Sequence, residues 1–382
     1  MKVFAAAASA VLLAFSAPAL LAQDLEAGRA AHERGDHAAA LAELRPLAES
    51  GEAQAQLLLG HIHRQGLGVP QDLAEAARWY LAAAEQGVAG AQSNLGIMHA
   101  TGMGVAQDSA AALLWFRRAA DQGDARAQFN LAQMYRRGEG TEQDPAEALR
   151  WYLRAADAGH VGAQFNIGVM HAEGAGVPQD HAAAVPWFRL AAEAGHPGAA
   201  YNLGLVHARG LGPEPDQGAA ARWFAQAAGQ GHADAQYQLG RSYMQGLGVA
   251  TDRAEAARLF GLAAAQGHMA SRTMMGVLYS RGEGVTRDHA EAVRWLRLAA
   301  GQGDGDAQYL LARQYAAGAG VARDRVRAMM WLILAAQSTD SAMPGDAVAD
   351  RDRLSRRMPA ADIDKARDLA RRCRASGFQD CG

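Results

Sequence analysis

Residues 88–123 read VAGAQSNLGIMHATGMGVAQDSAAALLWFRRAADQG, and this stretch decides the fold. Ala91, Leu95 and Met98 stand at i, i+4 and i+7, so they share one face of a helix, and Gly102 stops that helix as a left-handed cap. After the Gly102-Met103-Gly104 turn, Asp108 precedes a second periodic run. Ala112, Phe116 and Ala119 fall on its apolar face, and Gly123 closes it. The stretch therefore predicts a helix hairpin, helix A followed by helix B.

The same hairpin returns along the chain at a fixed 36-residue spacing. The Ala of Ala91 recurs at Ala55, Ala127, Ala163, Ala199, Ala235 and Ala307, with Ser271 in the remaining slot. All seven tryptophans fall on one phase (Trp79, Trp115, Trp151, Trp187, Trp223, Trp295, Trp331), and Leu259 takes the eighth place. Asp recurs before helix B in every unit: Asp72, Asp108, Asp144, Asp180, Asp216, Asp252, Asp288 and Asp324. A side-chain oxygen there accepts orphan N–H groups of the first turn, worth about 1 kcal/mol each, so these acids read as caps and not as catalysts.

A hairpin of this length cannot bury its own apolar face, so units must stack and share a core. The expected fold is all-α, a right-handed α-α superhelix (solenoid) of about eight helix-turn-helix repeats with helical caps. The small residues of helix A, such as Gly60, Gly96, Ala132 and Gly204, are expected to admit a neighbouring helix, with the Trp of helix B filling the space beside them. The expected division is residues 1–22 as a signal peptide, 23–51 as a capping helix pair, 52–338 as the eight repeats, and 339–382 as capping helices with a disulfide-closed tail.

Outside the repeats, Lys2 followed by the apolar run Val3–Phe15 reads as a secretory signal, too short to span a bilayer. Cleavage fits after Ala19 or after Ala22, and no cysteine lies near either site to accept a lipid. The expected location is periplasmic or secreted, with no integral membrane segment in the mature chain. Net charge is −3 and the basic residues are spread along the sequence, so nothing marks a nucleic-acid footprint. Cys373 and Cys381 are the only cysteines, and in an oxidising compartment their spacing favours a structural disulfide pinning the tail.

Motifs for chemistry are few. Gly-x-Gly turns such as Gly66-Leu67-Gly68 follow no strand and so do not read as dinucleotide loops. Most of the thirteen histidines occupy two repeat phases. His63, His99, His171 and His207 look like packing positions late in helix A, while His160, His196, His232 and His268 look like loop surface. Equivalent residues in adjacent units should lie roughly 10 Å apart, against zinc–nitrogen bonds of about 2 Å, so no metal site is expected. No cofactor site and no catalytic set is expected either: Ser-x-x-Lys is absent, and Lys365 is the only lysine of the mature chain.

The pattern Ala-Gln-x-Asn-Leu-Gly, then Gly-x-Gly-Val-x-x-Asp, then Ala-x-x-Trp-Phe/Tyr-x-x-Ala-Ala-x-x-Gly resembles the Sel-one-like repeat, a relative of the tetratricopeptide repeat. The resemblance covers residues 52 to 338. Leu25–Gly51 resembles a shorter tetratricopeptide-like pair with Gly35-Asp36 as its turn, and Val348–Arg374 reads as two further helices interrupted at Met358-Pro359. The resemblance implies a non-enzymatic scaffold for protein–protein interaction. It also implies, for exported bacterial members, partners that include envelope or cell-wall components. A cysteine-rich branch of the family is linked to β-lactam chemistry, which makes an enzyme of β-lactam or cell-wall metabolism the alternative. That branch carries a disulfide in each repeat, and this chain has none in its repeats.

In tetratricopeptide relatives the free arc of helix A lines a concave groove. Here that arc carries Phe129-Asn130, Phe165-Asn166, Tyr201-Asn202 and Tyr237-Gln238, an aromatic beside an amide in four successive units. Such a stripe suits an extended peptide, since amides bond its backbone and rigid rings receive its side chains. The competing explanation is packing within the scaffold. Arg136, Arg137, Arg209, Arg241, Arg281 and Arg313 vary on the same arc, and they make an acidic partner the sharper expectation.

Overall fold

The computed structural model describes residues 17–212, 215–339, 342–379 and 381, which form twenty helices and no strand. The chain divides into two compact units, residues 1–180 and 181–382. The first contains α1 (Ala17–Glu33), α2 (His37–Glu49), α3 (Ala53–Gln65), α4 (Leu73–Glu85), α5 (Ala89–Thr101), α6 (Ser109–Asp121), α7 (Ala125–Arg137), α8 (Pro145–Asp157) and α9 (Val161–Glu173). The second contains α10 (His181–Glu193), α11 (Pro197–Arg209), α12 (Gln217–Gly229), α13 (Ala233–Gln245), α14 (Arg253–Ala265), α15 (Met269–Arg281), α16 (His289–Ala300), α17 (Gly305–Ala317), α18 (Arg325–Ala335), α19 (Pro344–Ser355) and α20 (Ala360–Ala375). Within each unit a helix packs on its hairpin partner and then on the first helix of the next hairpin. That is the α-solenoid arrangement, with helices following one another as A and B.

Local chemistry sets each boundary. Asp72, Asp108, Asp144, Asp216, Asp252, Asp288 and Asp324 all accept backbone N–H groups at the start of a B helix. At the other end of helix A, Gly102 adopts φ 73° and donates its N–H to the Met98 carbonyl. The second turn glycine has a separate reason: a Cβ on Gly104 would stand 2.2 Å from the Leu73 carbonyl oxygen, so this turn packs directly on the preceding hairpin's B helix.

The Ala-Gln pair of helix A proves to be part of the joint between units. The amides of Gln56, Gln92 and Gln128 donate to the carbonyls of Ala48, Ala84 and Ala120 at 3.0–3.1 Å, reaching back to the preceding B helix. Gln86 and Gln122 in turn donate to the side chains of Gln56 and Gln92 at 2.8 Å. Where Ala200 replaces the glutamine, Gln226 donates to the orphaned Ala192 carbonyl at 2.7 Å instead. Satisfying such a buried carbonyl matters because leaving it bare costs about 1–3 kcal/mol.

One packing expectation is corrected. The side chain that fills the space over the helix-A glycine is the residue after the Trp phase: a Cβ on Gly60, Gly204 or Gly240 would sit 2.5, 2.4 or 2.9 Å from the rings of Tyr80, Phe224 or Phe260, the last of which follows Leu259. Those rings are buried, while Trp79, Trp115, Trp187, Trp223 and Trp295 are only half-buried. The indoles lie one position round the helix, where Arg118, Arg154 and Arg294 stack on Trp115, Trp151 and Trp295 at 4.3–4.6 Å.

At the N-terminal end, Asp36 caps α2 through the Ala39 N–H, and Ala40, Leu44 and Leu47 are buried. The secretory-signal reading lies mostly outside the described residues. Helix α1 begins at Ala17 and runs through both expected cleavage points. At the C-terminal end, α19 starts at Pro344, a turn earlier than the sequence reading, and Pro359 opens α20. Both of these helices rest on α18. Cys373 and Cys381 lie with Cα atoms 4.5 Å apart, and Phe378 between them covers Gly303 in the loop after α16.

Candidate functional site

Helix A begins at a position occupied by Glu52, Asp124 and Asp304 in some repeats and by His160, His196, His232 and His268 in four successive others. Here the sequence reading of loop histidines is corrected. Each imidazole is half-buried, and its Nδ1 accepts the N–H three residues on, from Ala163, Ala199, Ala235 and Ser271 at 3.1–3.3 Å. Histidine does at this site what Asp124 and Asp304 do through Oδ1 at 2.8 and 2.9 Å. The cap leaves the neutral ring proton on Nε2, and in His268 that nitrogen faces Asp234 Oδ1 at 3.2 Å. Burial holds the pKa of His160 and His196 below its ordinary value.

The same histidines meet the stripe on the preceding A helix. Phe129 stacks on His160 with centroids 4.3 Å apart and planes inclined by 20°, and it leans on Tyr152 beneath. Tyr201 stacks on His232 at 4.8 Å and 21°, over Phe224. Tyr237 lies against His268 at 4.9 Å and against Phe260 at 5.7 Å. Each ring is therefore fixed by a core aromatic below and an imidazole beside it, yet stays half-exposed. The Tyr201 hydroxyl has its pKa raised, chiefly by burial and then by Asp234.

Among the other sequence-selected residues, Asn130, Phe165, Asn166 and Asn202 are half-buried on the same helix positions. Gln238 accepts from Arg241 Nη1 at 3.3 Å, and Arg241 also lies 6.0 Å from the Tyr237 centroid, so these three residues form one group. Arg209 is exposed at the end of α11. Phe129, Asn130, Phe165 and Asn166 belong to the first unit, and Tyr201, Asn202, Arg209, Tyr237, Gln238 and Arg241 to the second.

The sequence reading missed the histidine partner. Its signal was available: His alternates with Asp and Glu at one phase, three residues before the helix-A alanine, which is the placement of an N-cap. A second missed contact is Asn94 Nδ2 with His61 Nε2 at 3.1 Å, beside an edge-to-face contact of His61 with Tyr80. Burial first, then the charges of Arg64, His32 and Arg126, lowers the His61 pKa to about 4. Among the described residues there is no cluster of three His, Cys, Asp or Glu able to hold a metal. Likewise, no described helix is long and apolar enough to cross a membrane.

Stacked hairpins with glutamine-locked joints define a helical-repeat solenoid. The Sel1 repeat matches at residues 53–88, 89–124, 125–160, 161–196, 197–232, 233–268, 270–304 and 305–340, and the chain belongs to this family. A Sel1 repeat protein from Oxalobacter formigenes is 33% identical, with a TM-score of 0.63 over 81% of this chain and 89% of that one. A protective antigen of uropathogenic Escherichia coli, c5321, is 28% identical over 94% and 93% of the two chains, with a TM-score of 0.42. No curated protein matches the chain. Sel1 repeat proteins are typically protein-interaction scaffolds and not catalysts.

Proposed function

We propose that this chain is an exported, non-enzymatic scaffold that binds a protein or an extended peptide along the stripe on its A helices. The observation that carries the reading is the ring-and-amide pair of the middle repeats, half-exposed and, at Phe129, Tyr201 and Tyr237, already immobilised by an imidazole. A ring held in place loses little entropy on binding, whereas ordering a free side chain costs about 0.5–1.5 kcal/mol. The amides of Asn130, Asn166 and Asn202 stand beside these rings and can pair with a partner's backbone. The arginines on the same arc favour a partner that brings carboxylates, and envelope or cell-wall proteins fall within reach of an exported chain. Export itself rests on the Lys2 to Ala22 leader and on a cysteine pair that suits an oxidising compartment.

Cross-linking in the exporting cell, with the full chain as bait and mass spectrometry as readout, tests this function. Replacing Phe165, Tyr201 and Tyr237 by Ala should weaken capture several-fold with an unchanged helical spectrum. Undiminished capture would remove the stripe as the binding face, and turnover of a chromogenic β-lactam by the purified chain would overturn the non-enzymatic reading.

A further inference from the structure

Two clefts of about 370 Å³ each flank α17 in the second unit, and they share Arg313 and Ala317. The first lies between α15 and α17, with Leu296 and Leu310 in its lining and Arg281 and Arg313 at its edge. The second lies between α17 and α19, with Leu332 and Leu354 inside and Arg353 and Arg357 at its edge. Because Arg313 and Ala317 border both, they form one trough across α15, α17 and α19, with leucines and the hydrogen-bonded Ser280–Gln314 pair in its lining and arginines along its rim.

The charge in this trough is not internally neutralised. Asp350 is the one carboxylate lining it, and Tyr309 Oη at 3.2 Å and Arg353 at 3.3 Å already engage it. Arg281 reaches Glu283 only at 3.8 Å, with both side chains open to solvent. Among the described residues no carboxylate lies within ion-pairing distance of Arg313 or Arg357, whose side chains are exposed. Arg313 lies 5.9 Å from the Tyr309 centroid, so its guanidinium has an aromatic neighbour and no anionic one. Of the seven equivalent positions only Arg241 is also an arginine; the others are His61, Ile97, Gln133, Val169, Leu205 and Val277, so the repeat does not require an arginine there.

We infer that this trough is a binding subsite for an acidic, amphipathic peptide segment of a partner protein: carboxylates pair with Arg281, Arg313 and Arg357 while an apolar side chain enters each cleft. Guanidinium forks bind carboxylates bidentately, and the leucines in the lining offer contact to an apolar side chain between them. Charge complementarity chooses this partner chemistry, and the apolar interiors separate it from a purely ionic ligand. The inference rests on the scaffold reading above and deepens it: Arg281 and Arg313 lie on the arc named there, but none of its aromatic and amide residues takes part.

The test measures fluorescence anisotropy of a short labelled peptide in which Asp and Glu alternate with Leu, added to the full chain. Parallel peptides carry Lys in place of the acids, or Asn in place of the leucines. The acidic leucine peptide should bind saturably, the lysine peptide should not bind, and the asparagine version should bind several-fold more weakly. Arg313→Glu should weaken binding at least about tenfold, Arg357→Glu several-fold, and Arg189→Glu on the B helix α10 not at all. Raising ionic strength should weaken binding of the wild-type chain. Equal binding by Arg313→Glu, or by the lysine peptide, overturns the subsite. If Tyr201→Ala and Tyr237→Ala lose partner capture while Arg313→Glu still binds the peptide normally, the stripe stands and the trough falls. If those tyrosine variants capture normally and Arg313→Glu loses the peptide, the trough stands and the stripe falls.

Discussion

The middle repeats and the C-terminal repeats share a backbone plan but differ at the contact between successive A helices. At Phe129–His160, Tyr201–His232 and Tyr237–His268 that contact is an aromatic ring on an imidazole. One repeat later it is a hydrogen bond, Thr273 Oγ1 donating to Asp304 at 2.8 Å, and at the cap it is Tyr309 to Asp350. The joint between A and B helices stays buried and apolar over the same span: Gly240 meets Phe260 as Gly204 meets Phe224, and in the next repeat Gly276 meets Leu296. The difference separates two demands on one helix. The side facing its B helix must fill a fixed volume, while the free side can exchange chemistry without disturbing the stack.

The sharpest way to break that comparison is to attack the buried side. Phe260→Ala removes a fully buried ring that closes over Gly240, and it should cost about 3–5 kcal/mol, read as the shift in chemical denaturation. Tyr237→Ala, one helix away on the free side, should cost clearly less. Equal costs would erase the distinction between joint and face.

A smaller effect is expected at the tail. Oxidised protein should be lighter by two hydrogens than reduced protein, and Cys381→Ser should lower stability by about 2 kcal/mol and expose the segment around Phe378 to proteolysis. Smaller again is a pH effect at His61. Its pKa falls from 6.5 in the unfolded chain to about 4 in the fold, so between these values the unfolded state binds the extra proton. Stability therefore declines as pH drops from 6.5 to 4 and levels off below. The full shift would be about 3 kcal/mol, nearer about 1–2 after screening at this half-buried ring. His61→Gln should flatten that part of the pH profile, and an unchanged profile would remove His61 as its source.

The helical repeat was legible because stacking imposes a strict period: Ala91, Leu95, Met98, Gly102 and Asp108 each do a local job that must recur at the same phase in every hairpin. The stripe was legible as a set of positions, since helix geometry alone places Phe129, Tyr201 and Tyr237 on one arc. What lay between repeats was not. The period marks the Trp phase and its neighbour alike, and only packing shows that Tyr80 and Phe224, not the indoles, sit over the glycines. The imidazole stacks escaped for a related reason, because each joins residues 31 positions apart, a separation that no hydrophobic wheel represents. The arginine trough is the extreme case, lined from five helices, α15 to α19, of which α19 lies outside the repeat pattern.

The aromatic–imidazole contact combines a helix cap with a stack, and substitutions at His232 can pull the two apart. His232→Asp keeps an acceptor for the Ala235 N–H, as Asp304 does for Ala307, but removes the surface on which Tyr201 lies. His232→Ala removes both. The alanine variant should lose about 1 kcal/mol of stability, the usual worth of a cap, while the aspartate variant should stay within about 0.5 kcal/mol of wild type. Partner capture should order them differently: if the stack is what holds Tyr201 ready for a ligand, both variants should weaken capture equally despite their unequal stability. Capture that follows stability instead would mean the imidazole serves the helix alone and the ring above it needs no such support.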